Sequence, residues 1–350
     1  MKVSKMPGFG SFGAIVEDFE WDQPEAYQEL KELNLKTLVT VVRSDGIERF
    51  DTVAKNIHHI TDRRPSRFVM KYGLRRDYSD VMTDDERRNT EINGRWAIPN
   101  YTGWFRVTGK KDNEGKMLGA FGDTELLWHS NEFAQVSFAP LVILYGMNHM
   151  NTSSTSFLQS ADWYDKQTES FKSELNELVS DCIWNKKAIM PSSNEDQELN
   201  MRMFFVPQEH LEMPLVMDSP GGFRGLHYSK FISGFRGMSK ADSDKIIAKI
   251  ESELFVPEYQ YDYWWDNPRG DLVLFEQSIT LHMRKIKEDM NMISELHERL
   301  AYRFAGDYAG KDVNYNGFIH EDFHRQKEEF LVKMANLKQQ EIAHGVRKIN

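Results

Sequence analysis

Three residues from two distant stretches of the chain have the types and spacing to hold a metal ion. The first stretch, Leu126-Leu127-Trp128-His129-Ser130-Asn131-Glu132-Phe133, is an apolar run that abruptly presents an imidazole and two short polar groups. The second runs from Gly270 through Leu272-Val273-Leu274-Phe275 to Thr280-Leu281-His282, about 150 residues later. Both read as buried strands that end in a histidine. Neutral imidazoles suit a borderline divalent metal such as Fe(II). Two of them, with an oxygen donor two residues after the first, cover one face of the ion and leave positions open for a co-substrate and O2. That oxygen donor is normally a carboxylate. Here the position holds Asn131, whose amide offers a carbonyl oxygen but no charge.

A lone histidine is more often a satisfied core or surface residue than a ligand. His58, His59 and His324 lie in polar surroundings and keep that ordinary reading. Glu132 could replace Asn131 only through a local register change, because adjacent residues of a strand face opposite ways.

Such a site needs strands to carry it, and the chain supplies short ones throughout. Gly8-Phe9-Gly10-Ser11-Phe12-Gly13 is followed by no GK[ST], so a turn into an edge strand is preferred there to a phosphate loop. Further strands are expected at Leu35–Val42, Trp104–Thr108, Pro140–Met147, Phe204–Val206, Leu226–Tyr228 and Leu300–Phe304. A helix opens at Asp22 and Pro24, with Tyr27, Leu30 and Leu33 on one face. A long amphipathic helix is expected from Ser160 to Ile183. Another is capped by Ser239 and turns Ile246, Ile247, Ile250 and Leu254 inward. Residues 51–100 read as a solvated surface with one short helix, or as a lid, and 190–200 as a polar loop. Phe323–Ile342 is helical in pattern, either docked on its own domain or making a homo-oligomer contact. The expected architecture is mainly β with flanking helices: one domain over 1–310 with a double-layered jelly-roll core, and a helical extension over 311–350.

Composition narrows the partners. The 350 residues carry a formal net charge of -10 and no long basic block, which argues against nucleic-acid binding through a basic face. Cys182 is the one cysteine, so no internal disulfide and no cysteine-rich zinc site can form. A cytoplasmic setting is the default expectation, with no signal peptide and no membrane-spanning run. A small-molecule substrate is the expected partner.

The order of motifs resembles the TauD/TfdA (taurine dioxygenase-like) family of Fe(II)/2-oxoglutarate-dependent oxygenases. Gly13-Ala14-Ile15 is similar to its G-A-x-[IV], and Trp128-His129-Ser130-Asn131 to W-H-[ST]-D. Thr155-Ser156-Phe157 resembles T-L-F, Gly237-Met238-Ser239 resembles G-[ML]-S, and Pro257-Glu258-Tyr259-Gln260-Tyr261 resembles P-E-[FY]-Q-[YW]. Gly270–Phe275 is similar to G-D-L-V-I-W, Thr280-Leu281-His282 to T-L-H, and Arg299–Arg303 to R-x-x-x-R. The similarity spans about residues 8 to 310, in family order.

The resemblance implies a clavaminate synthase-like double-stranded β-helix. It also implies Fe(II), with 2-oxoglutarate and O2 as co-substrates, and hydroxylation of an unactivated C–H bond with release of succinate and CO2. His129, Asn131 and His282 then hold the metal. Arg299, with the Thr155 hydroxyl, grips the distal carboxylate of 2-oxoglutarate, since a guanidinium offers a planar fork that never loses its charge. Arg303 matches the second arginine, which reaches an acidic substrate or the co-substrate. Substrate contacts are expected from the variable segments 63–110 and 190–225, with an anionic or amino-acid-like small molecule fitting their arginines and aromatics.

Asn131 departs from the family pattern, and three readings stand. Asn131 ligates iron directly or through water; Glu132 takes its place; or the site is degenerate and the protein binds rather than catalyses. A halide-admitting site fits less well, because it needs a small residue at this position and asparagine is not small.

Overall fold

In a computed structural model of the chain, residues 1–44, 46, 49–62, 82–121, 126–131, 133, 138–148, 153–182, 195–204, 213–265, 270–286, 299–311 and 332 are described. The apolar run Leu272-Val273-Leu274-Phe275 lies in a fully buried central strand, Leu272–Glu276, and its alternation divides the core in two. Val273 and Phe275 join one apolar cluster, while Leu272 and Leu274 join another. Period-2 geometry sends them to opposite faces of one sheet.

That sheet has eight strands among the described residues. Its order is Lys2–Lys5, Ala14–Glu17, Val39–Val42, Leu272–Glu276, Leu141–Gly146, Leu300–Tyr308 and Thr61–Asp62, with Phe105–Thr108 also paired to Leu300–Tyr308. Pairing is antiparallel except between Ala14–Glu17 and Val39–Val42. The helix Pro24–Thr37 joins those two parallel strands and packs Tyr27, Leu30 and Leu35 on one face of the sheet. A second sheet orders Gln260–Tyr263, Thr155–Gln159, Thr280–Arg284 and Leu126–His129, all antiparallel. It shares a core with the other face of the large sheet: the Phe157 and Phe275 rings meet at 5.2 Å. Two smaller sheets complete the β structure among the described residues. No helix among those residues is long and apolar enough to cross a membrane.

Four local expectations are corrected. Leu35–Val42 is not one strand: the helix runs on through Thr37, and the strand starts at Val39. Buried Asn34 explains this, because its Nδ2 donates to the Leu274 carbonyl (3.1 Å) and its Oδ1 accepts from the Tyr308 hydroxyl (2.6 Å). Ser160–Ile183 is not one helix but Ala161–Asp165 and Glu169–Asn176, followed by the strand Val179–Cys182. Thr168 restarts the helix by accepting from the Phe171 N–H at 3.3 Å. Phe204 ends the helix Glu195–Phe204 rather than opening a strand, and that helix overlaps the expected polar loop. Gly270–His282 is two strands in two different sheets, separated by the turn at Gln277-Ser278-Ile279. The Glu276 carboxylate accepts from the Ser278 and Ile279 N–H groups and so folds the chain from one sheet to the other. His282 therefore sits in the middle of a strand.

Elsewhere the expected helices form at Pro24 and Ser239. The Ser239 hydroxyl accepts from the Asp242 N–H, and the helix Lys240–Leu254 buries Ile250 and Leu254. Residues 51–100 hold two α-helices among the described residues, Phe50–Asn56 and Asp84–Trp96. The second has a full capping box between Thr83 and Glu86. It packs against Glu195–Phe204. Asn200 Nδ2 donates to Asn89 Oδ1 (2.9 Å) and Asn93 Oδ1 (3.0 Å), and Arg95 pairs with Asp196 at 2.6 Å. Ile92, Trp96, Ala120 and Leu199 form the apolar seam of this pair. The two segments read as substrate-facing thus meet each other. Apart from Val332, the expected helix 323–342 lies outside the described residues.

Candidate metal centre

In the smaller sheet His282 pairs directly with His129 on one side and with Phe157 on the other. Directly paired residues of antiparallel strands project to the same face, so the two imidazoles meet. Their centroids are 4.2 Å apart at an interplanar angle of 47°. Phe275, from the large sheet, packs on the His282 ring at 4.7 Å. Both histidines are buried, and the site lies between the two sheets.

The hydrogen bonds orient both rings. His129 Nδ1 lies 2.6 Å from the Leu127 carbonyl, which can only accept. Nδ1 therefore carries the proton and Nε2 keeps its lone pair. Asn131 Nδ2 donates to His282 Nε2 at 3.1 Å. The proton of that ring is then on Nδ1, which finds no partner among the described residues. The His129 and His282 rings thus lie beside one amide group, which bonds the His282 ring. Burial is the main reason that His129 is pushed down to about 4 and His282 well below the ordinary imidazole value, and the Arg303 charge pushes both further down. Both rings are neutral at pH 7, the form that binds metals.

Gln277 ties the two strands together at this point. Its Oε1 accepts from the Asn131 N–H (2.9 Å), its carbonyl accepts from Ser130 Oγ (2.9 Å), and its Nε2 donates to the Ala139 carbonyl (2.5 Å). The strand Leu126–His129 has ended by then, so strand alternation no longer decides where Asn131 points. Gln277 does so instead.

The cationic side comes from the large sheet. Ala301 and Ala305 face the core shared by the two sheets, so Arg303, between them, faces it too. Its guanidinium lies 5.0 Å from the Phe105 ring centroid. Arg299 is buried, and its Nη2 donates to the Phe121 carbonyl at 2.5 Å. Thr155 Oγ1 accepts from Trp265 Nε1 at 2.8 Å.

The structure thus brings His129, Asn131 and His282 together and sets Arg303 close enough to act on both rings. Glu132 lies outside the described residues. Sequence reasoning missed three groups. Gln277 lay inside what read as one strand. Arg284, buried two residues beyond His282, donates to the Phe121 carbonyl at 2.6 Å. His227 is buried behind the site, with Nδ1 2.7 Å from the Ser278 carbonyl and its ring stacked on Phe133 at 4.6 Å. Position in the sequence carries no signal for His227. For Arg284 the signal was available: alternate residues of a strand share a face, and Arg284 is two from His282.

No protein-family model matches the chain, and no curated protein matches it. Solved structures do. One is AAD-2 in complex with Mn(II) and N-oxalylglycine, at 17% identity over 89% of this chain and 99% of that one, TM-score 0.56. Another is a taurine dioxygenase from Burkholderia xenovorans, at 14% identity over 88% of this chain and 90% of that one, TM-score 0.56. A third is a putative alpha-ketoglutarate-dependent taurine dioxygenase from the same organism, at 16% identity over 87% and 93%, TM-score 0.58. At these identities the likeness is one of fold. The chain has the fold of these dioxygenases along nearly nine-tenths of its length.

The residues present meet part of what a metal requires. Two neutral imidazoles, His129 with its Nδ1 fixed by a backbone carbonyl and His282 with its Nε2 beside the Asn131 amide, are the kind of donors a divalent transition metal takes. Among the described residues no group of three His, Cys, Asp or Glu side chains completes such a site. The donor set therefore fits a metal held by two imidazoles and completed by an anionic chelator.

Proposed function

We propose that the chain is an oxygenase that uses Fe(II), 2-oxoglutarate and O2 to hydroxylate an unactivated C–H bond of a small molecule, with its two main sheets as the layers of a jelly roll. The observation that carries this reading is the buried pair of neutral histidines, aligned across paired strands, in a fold shared with dioxygenases. The iron supplies the activation of O2, and the protein orients and shields it. His129 and His282 offer their Nε2 atoms. Burial, with the Arg303 charge adding to it, keeps both rings deprotonated. Arg299 and Thr155 grip the distal carboxylate of 2-oxoglutarate. Asn131 is a neutral third group, so the chelating dianion supplies the charge that a protein carboxylate would bring. Metal and 2-oxoglutarate then promote each other's binding, by equal factors. The paired helices Asp84–Trp96 and Glu195–Phe204 are read as part of the substrate-facing wall, and an anionic or amino-acid-like substrate suits it.

A second reading, a binding protein with a degenerate site, is favoured by one observation: the Asn131 amide donates where an ion would sit. An anaerobic Fe(II) titration of the wild type and Asn131→Asp, each with and without 2-oxoglutarate, separates the two, followed by a test for succinate under O2. The oxygenase reading expects succinate, a wild-type metal affinity that rises strongly with 2-oxoglutarate, and tighter metal binding by Asn131→Asp in its absence. Metal binding with no succinate in any arm supports the binding protein. Equal affinities in all four titrations remove Asn131 from the metal site and make Glu132→Gln the next variant.

A further inference from the structure

We propose that Arg284 is a second guanidinium for the distal carboxylate of 2-oxoglutarate, so that the co-substrate's far end is held between two arginines rather than by one. This rests on the oxygenase reading above and adds a residue to it.

The inference follows from the register of the smaller sheet. Thr280 pairs with Gln159, His282 with Phe157 and Met283 with Ser156. The pairing continues past the end of the strand, through the Ser154 N–H bonded to the Lys285 carbonyl and the bridge from Ser153 to Ile286. Arg284 therefore stands across from Thr155. Side chains two apart on a strand share a face, so Arg284 lies on the face of His282, one row further along. Thr155 lies likewise on the face of Phe157. Paired side chains in an antiparallel ladder have Cβ atoms roughly 4.5–5.5 Å apart. The Arg284 stem and the Thr155 hydroxyl are thus neighbours in the row beside the metal ligands.

A second contact fixes where the guanidinium goes. Arg284 Nη1 and Arg299 Nη2 both donate to the Phe121 carbonyl, at 2.6 and 2.5 Å. A shared acceptor holds the two forks side by side. Both residues are buried, at 6% and 5% exposure. Arg284 therefore lies between the two groups, Thr155 and Arg299, assigned to the distal carboxylate. It reaches one through the strand register and the other through a common carbonyl. Two planar cations and one hydroxyl around a point suit a carboxylate, which has about four lone-pair sites to offer. The class of ligand is a 2-oxo acid with a carboxylate at its far end. Phe121 itself has φ +52°, a conformation that non-glycine residues rarely adopt. This raises the structural alternative, that Arg284 merely clamps a strained turn.

The test uses the full chain loaded with Mn(II) and measures binding by calorimetry. The probes are 2-oxoglutarate and 2-oxopentanoate, in which a methyl group replaces the distal carboxylate. Thermal unfolding checks that each variant is folded. Arg284→Leu is expected to weaken 2-oxoglutarate binding roughly 10- to 100-fold, the scale of a hydrogen bond to a charged group. Binding of 2-oxopentanoate should stay within about twofold, since the lost bond is absent from that complex. Arg299→Leu should show the same selectivity. Arg284→Lys keeps the charge and loses the fork, and should fall between wild type and Arg284→Leu. Equal loss for both probes, or no loss for either, overturns the proposal and makes Arg284 a clamp on Phe121. If Arg284→Leu does not fold, Arg284→Lys decides: a loss confined to 2-oxoglutarate supports the proposal, and an equal or absent loss overturns it. Wild type that binds neither probe overturns the oxygenase reading itself, and that result appears before any variant is made.

Discussion

The histidine side of the site and its arginine side are built from opposite materials. His129, His282 and Asn131 are neutral, and the bonds that aim them run to Leu127, to Gln277 and to each other. Arg284, Arg299 and Arg303 carry fixed positive charge, and two of them converge on the single carbonyl of Phe121. The neutral side offers lone pairs without charge; the cationic side offers charge without lone pairs. An ion on the first and an anion on the second each complete what the other lacks. Two dependencies follow: the metal should rely on the anion, and the anion on the guanidiniums.

The largest effect that would break this contrast is loss of the imidazoles. His129→Ala and His282→Ala should each weaken Mn(II) binding by more than about a hundredfold, beyond the 10- to 100-fold typical of groups that only support a ligand. Mn(II) titration followed by electron paramagnetic resonance measures it, and unchanged binding in either variant would move the metal elsewhere. Next comes the hub between the two strands. Gln277→Leu leaves the Asn131 N–H and the Ala139 carbonyl without their present partner, which should destabilise the fold by about 2 kcal/mol and loosen metal binding as well. Chemical denaturation gives the first quantity. A stable variant with unaltered metal affinity would mean that Gln277 does not hold Asn131 in place.

The smallest effect concerns pH, and its sign follows from burial. His227 is pushed down to about 4, chiefly by desolvation. Between that value and about 6.5 the unfolded chain binds a proton that the folded chain does not, so stability falls as pH falls. The loss from this residue should be roughly 1–2 kcal/mol between pH 6.5 and 5. Burial raises Glu276 to about 7, so it acts in the opposite sense: its folded form keeps a proton that the unfolded form gives up above about 4.5. The acid sensitivity of His227→Phe should be shallower than that of wild type in denaturation curves taken across this range. Identical slopes would place the sensitivity in the two site histidines.

How much of this was legible in the sequence depended on how local the cause was. His129 and His282 stood out because each follows an apolar run in family order. The Ser239 cap and the Pro24 start were legible because they act within one helical turn. The break at Gln277 was not, because Leu272–His282 reads as one buried strand, and what folds it is a buried Glu276 carboxylate. The helix end at Thr37 was hidden for a similar reason. Asn34 looks like a surface residue until Tyr308, far along the chain, supplies its hydroxyl. Strand alternation put Arg284 on the face of His282, but its register with Thr155 and its bond to the Phe121 carbonyl are not written near it.

The pairing of Val39–Val42 with Leu272–Glu276 also sets an order of events during synthesis. The partners are roughly 230 residues apart, which at about 5–20 residues per second is a wait on the order of 10–50 s. Through that interval Val39, Val41 and Val42 have no central strand to cover them. The histidine pair cannot form until Thr280–Arg284 has emerged. Contacts this distant in sequence fold slowly and leave apolar strands open to wrong partners. The nascent chain is therefore at its most aggregation-prone just before the site it is building can exist.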